Sequence, residues 1–178
     1  MPMTRFADKW KRVQDRIQSI PAEELGLPNT NPPVVVDQDN LTLLEFDVGT
    51  DRIMVKIPIP YDFAAGPIEL NVVWTNDGGV DDLGKNVRWQ FDYQSSACGL
   101  PVNGSHANSP KTIQQSYSSA AGWIEHHTPF IKIPYSVFEG RECLFVKIMP
   151  VAADAPALSC KPRMIGICSR YSKHRHVD

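Results

Sequence analysis

A chain of 178 residues, with 18 Lys and Arg against 20 Asp and Glu, has a formal charge of −2. That balance excludes a global field drawing it to nucleic acid or to an anionic membrane, and the length suits one domain with room for an arm and no need of a metal or disulfide staple. No apolar run approaches the roughly 20 residues of a membrane helix, and the charges near the start leave no apolar signal core, so export by that route is not expected.

The first predicted element is a helix over residues 4–20. Phe6, Trp10, Val13, Ile17 and Ile20 recur at alternating steps of four and three, which lays one apolar stripe along a helix. Thr4 can cap its start and Pro21 falls where it would stop. These five residues are the candidate protein-contact stripe, packing either on this chain's own body or on another subunit; the spacing allows both. Residues 21–33 hold Pro21, Pro28, Pro32 and Pro33 with Gly26, Asn29 and Asn31, which forbids regular structure over most of the stretch. Residues 1–33 therefore read as a helix with an extended arm, and 34–178 as the main domain.

That domain reads as strands over 41–48, 52–59, 68–75, 86–93, 112–117, 123–133, 142–151 and 162–171. The clearest is 86–93, where Val87, Trp89, Phe91 and Tyr93 fall on one side and Arg88, Gln90, Asp92 and Gln94 on the other. Alternation of that kind is one wall of a core. Gly, Pro, Asn and Asp clusters punctuate the strands, and 95–110 and 151–162 read as exposed loops. About eight strands with no helix between them predict an all-β, antiparallel two-sheet sandwich or jelly roll.

Motifs with chemistry are scarce. His126 and His127 follow Glu125, as if in a cupin-type metal site, but adjacent strand residues face opposite ways and do not readily share an ion. His174 and His176 lie in a basic tail, which reads as a solvated terminus. Asp77, Asp81 and Asp82 resemble an oxygen-rich cation loop without the EF-hand pattern, so a solvated turn is expected. Cys98, Cys143, Cys160 and Cys168 form no CxxC pair and read as reduced thiols. No nucleophile elbow or phosphate loop occurs. Neither an enzyme nor a cofactor is expected. Trp74, Trp89, Phe91 and Trp123 offer either core or a sugar-binding face.

Several strand motifs occur in a suggestive order. Asn71-Val72-Val73-Trp74 precedes Val87-Arg88-Trp89-Gln90-Phe91-Asp92-Tyr93; His126 and His127 lead to Phe130-Ile131-Lys132-Ile133-Pro134 and Phe138-Glu139-Gly140; Leu144-Phe145-Val146-Lys147-Ile148 closes the series. This order resembles small jelly-roll structural proteins of tailed bacteriophages, over roughly residues 68–151. Met149-Pro150 departs from the Arg that often follows the last Ile in that family.

The resemblance implies a virion component made in the host cytoplasm. It points to a capsid decoration or cement protein on the head surface, with the major capsid protein and further copies of itself, as a homotrimer or homodimer, for partners. A tail, fibre or head-spike component with a host-glycan or receptor-binding role is the alternative. A cupin-type metal enzyme is the third reading.

Overall fold

The computed structural model describes residues 13–60, 63–96 and 110–174. Its strands are β1 Val13–Pro21, β2 Val34–Gln38, β3 Leu41–Glu45, β4 Ile53–Pro58, β5 Ile68–Thr75, β6 Asn86–Ser96, β7 Lys111–Ser116, β8 His126–His127, β9 Ile131–Ile133, β10 Cys143–Val151 and β11 Arg163–His174. One sheet runs β2-β3-β11-β5-β8, with β1 beside β11 and β9 beside β5; the other runs β4-β10-β6-β7. Every ladder is antiparallel. The chain changes sheet at each step from β3 to β6, stays for the β6–β7 pair, then alternates again through β8/β9, β10 and β11. That is a jelly-roll order in the two-sheet antiparallel sandwich that the strand pattern predicted.

The alternation in β6 places Val87, Trp89, Phe91 and Tyr93 between the sheets, all buried. They meet Leu70, Val72 and Trp74 of β5, Ile53, Val55 and Ile57 of β4, and Leu144, Val146 and Ile148 of β10. Phe46 meets Trp89 edge to face, with centroids 5.5 Å apart. Burying each large apolar side chain contributes about 1.5–3 kcal/mol, so this interior is a filled core rather than a cavity.

The N-terminal helix is corrected where the structure describes it. Val13–Pro21 is a strand, paired residue for residue with β11 from His174 to Gly166. A strand splits the stripe: Ile17 points to one face and Ile20 to the other. Ile20 packs on the core, while Ile17 is 68% exposed on the outer face. Phe6 and Trp10 lie outside the described residues. The stretch after Pro21 packs on the sandwich rather than reaching away from it. Ala22 and Leu25 join the core, Gly26 bridges to Met54, and Arg52 N–H donates to Asn31 O at 3.1 Å.

The expected strand over 123–133 divides into β8 and β9. Between them Thr128 takes over the ladder: its N–H donates to Val72 O, and its Oγ1 accepts from Val72 N, both at 3.0 Å. The following Pro129 has no N–H to donate, so pairing resumes only at Ile131.

Candidate functional site

Three connections meet at one end of the sandwich: residues 76–85, 117–125 and 152–162. Backbone bonds tie the first two, from Gly84 N to Tyr117 O and from Tyr117 N to Lys85 O, each 2.8 Å. They approach so closely that a Cβ at Gly79 would meet Ala120 O at 3.2 Å, and one at Gly122 would meet Asp77 O at 3.2 Å. The third is held by Asn86, whose N–H donates to Pro156 O at 2.8 Å and whose O accepts from Leu158 N–H at 3.1 Å.

Asp82 ties this end together. The expected solvated turn is corrected here, because its carboxylate is fully buried. It accepts from Ser159 N–H at 2.6 Å, Cys160 N–H at 3.1 Å and Asn76 Nδ2 at 2.8 Å, and pairs with Lys85 Nζ at 3.3 Å. Burial pushes its pKa up, but the Ser159 and Cys160 amides with Lys85 outweigh that and hold it below the ordinary 3.8. Asp77 behaves likewise: burial raises it, and the Arg163 guanidinium outweighs the burial. Arg163 pairs with Asp77 at 2.8 Å and Glu45 at 2.7 Å, and Lys161 pairs with Asp47 at 2.7 Å. These carboxylates are engaged in holding the loops.

Trp123 sits on this frame. Its N–H donates to Asn76 O at 2.8 Å, and its ring lies over the Arg163 guanidinium, 4.6 Å from Cζ to centroid. It is 40% exposed and has φ 66°, the left-handed region, where a bulky L residue costs about 1–3 kcal/mol. Ile124 beside it is exposed, as are Val80 and Leu83 on the neighbouring loop. An apolar groove of about 300 Å³, lined by Val48, Val87, Val151, Leu158 and Pro162 among others, opens at the same end.

The histidines separate as strand alternation requires. His127 is exposed and bonds Glu125 at 2.5 Å. His126 is buried between Trp74 and Tyr117, at centroid distances of 5.1 and 4.7 Å, with Nε2 lacking a partner. Among the described residues, no group of three His, Cys, Asp or Glu is placed to hold a metal. Of the four aromatics offered as a sugar face, Trp74, Trp89 and Phe91 are core and Trp123 is exposed. Cys143, Cys160 and Cys168 are free and half-buried; Cys98 and His176 lie outside the described residues. Strand signals did not mark Trp123, Ile124, Val80 and Leu83, because the two loops that carry them are brought together only by packing.

Burial lowers the His126 pKa below the ordinary 6.5, and His127 adds to the shift. A depressed histidine contributes stability that is present above its unfolded pKa and lost as pH falls through its folded one. Asp77 and Asp82 add their own loss only below about their ordinary 3.8. Stability should therefore fall as pH drops below 6.5, and His126→Phe should flatten that part of the curve. Urea midpoints across that range check this; an unchanged slope in the variant contradicts the assignment.

No protein-family model matches the chain, and no curated protein is similar to it in sequence. Among solved structures it is similar to dimeric latent PorU from Porphyromonas gingivalis, with a TM-score of 0.45 and 11% identity over 93% of this chain. The chain spans 13% of the length of that protein, and nothing about its function follows from the likeness.

Proposed function

We propose that the chain is a non-catalytic docking protein, a virion component that attaches to the outside of a phage head through the loop end of its jelly roll. The observation that supports this reading is the group of exposed apolar side chains, Val80, Leu83, Trp123 and Ile124, on loops locked to each other. Trp and Arg dominate the energetics of protein contacts, and here Trp123 is stacked on Arg163. A strained backbone that holds a large aromatic in solvent motivates a contact role for that side chain. Jelly rolls serve in capsids, lectins and cupins alike, so the capsid partner comes from the family resemblance. Many weak contacts repeated on a symmetric shell add avidity.

One observation favours the glycan-binding alternative. The exposed Trp123 ring lies against Arg163, which itself pairs with Asp77 and Glu45, an aromatic platform with hydrogen-bonding groups nearby. Saturable binding on a glycan array that disappears in Trp123→Ala would favour it over the capsid reading.

The test is quantitative mass spectrometry of particles purified from the source's lysates. The chain should be present in many copies per particle, and a Trp123→Asp, Ile124→Asp variant should drop at least tenfold while remaining folded, as about 1.4 kcal/mol per site would give. Particles without the chain would remove the virion reading. Particles retaining the variant would remove the loop end as the docking face.

A further inference from the structure

The edge of the larger sheet carries an independent feature. β1 pairs along its whole length with β11 on one side, without a bulge, and among the described residues nothing pairs with its other side. Asp15 to Ser19 are exposed on both faces. A long strand with one unpaired row of N–H and C=O groups is a template for another strand. The same sheet edge continues in β2, which has only five residues and follows Pro33.

The sequence of β1 selects its occupant. A two-fold axis perpendicular to the sheet sets each residue opposite one of the same face, so only registers centred on a residue are available. Centring on Arg16 opposes two like charges and sets Asp15 against Ile17. Centring on Gln18 sets Arg16 against Ile20. Centring on Ile17 sets Ile17 against itself, Val13 against Pro21, Gln14 against Ile20, Asp15 against Ser19 and Arg16 against Gln18. Ile17 then meets Ile17, carboxylate meets hydroxyl, and guanidinium meets amide; Gln14 against Ile20 is the one polar–apolar pair, and no like charges are opposed. Cross-strand pairs of these kinds stabilise a sheet, and opposed like charges do the reverse.

From this register we infer that two copies of the chain join through β1, antiparallel about Ile17, into one sheet continuous across both subunits. Ile17 is thereby a contact residue through strand pairing, not through a helical stripe. The inference does not rest on the docking reading, since it uses the opposite feature of the fold, and either can fail without the other.

Light scattering on a sizing column tests it, using the full chain over a dilution series. The intact chain should show twice the monomer mass. Ile17→Lys should show the monomer mass and remain folded, with a thermal midpoint that no longer depends on concentration, because the side chain it replaces is exposed in the single chain. In a chain whose native cysteines are serines, checked for folding by tryptophan fluorescence, Ile17→Cys should form a disulfide-linked dimer on mild oxidation. Asp15→Cys should not, because its self-partner lies away from the axis. A monomeric intact chain overturns the inference. So does a dimer or trimer that survives Ile17→Lys, or cross-linking at Asp15→Cys in place of Ile17→Cys.

Discussion

Asp82→Ala should cost about 2–3 kcal/mol, measured as a fall in the urea midpoint at unchanged slope. Two part-buried backbone hydrogen bonds, from Ser159 and Cys160, lose their charged acceptor, and a hydrogen bond to a charged group is worth about 1.5–3 kcal/mol before water replaces part of it. Asn76 Nδ2 loses a third bond. The Lys85 pair adds little, because that ammonium reaches solvent and water replaces its partner. The damage should be local first, since Asp82 connects residues 76–85 to 159–160 and those segments frame Trp123. A loss under 1 kcal/mol would show that the carboxylate is not what fastens the loop end.

Gly166→Ala is the second large effect, at about 1–3 kcal/mol. A Cβ there would sit 2.6 Å from Ile20 O and 3.2 Å from Pro21 Cα. Both are backbone atoms, so no rotamer change relieves the clash. β11 carries a register irregularity at this point, between Met164 and Gly166, where its neighbour changes from β3 to β1. The substitution should peel the end of β1 from β11. The resulting chain should lose both self-association and the stability of the single chain, whereas Ile17→Lys loses self-association and keeps the stability of the single chain. Amide exchange across residues 13–21 checks the peeling; full protection in Gly166→Ala would contradict it.

The sandwich was legible because its strands carry their own signal. Val87, Trp89, Phe91 and Tyr93 alternate over a run too regular for another reading, and Leu144, Val146 and Ile148 do the same. β1 was illegible for the opposite reason. Val13, Ile17 and Ile20 fit a helical stripe, whereas in a strand Ile17 and Ile20 fall on opposite faces. The partner that decides between the two, β11, lies about 150 residues away in sequence.

The acidic turn shows the same limit. Asp77, Asp81 and Asp82 look equivalent in sequence, yet only Asp82 is buried, because its donors Ser159 and Cys160 come from 77 and 78 residues further on. Trp123 gave no warning of its left-handed backbone. Glycine or asparagine is the usual mark of that conformation, and here packing between two loops imposes it on an aromatic residue. What sequence reasoning could offer for the site was a set of aromatics, and burial of Trp74, Trp89 and Phe91 left Trp123 as the exposed one.

The claim that the loop end is the docking face is tested most directly by hydrogen exchange on the chain free and bound to purified particles. Binding should add protection at residues 76–85 and 117–125, and leave the outer face of the β4-β10-β6-β7 sheet unchanged. New protection confined to that sheet face, with the two loops exchanging as in the free chain, would contradict the account.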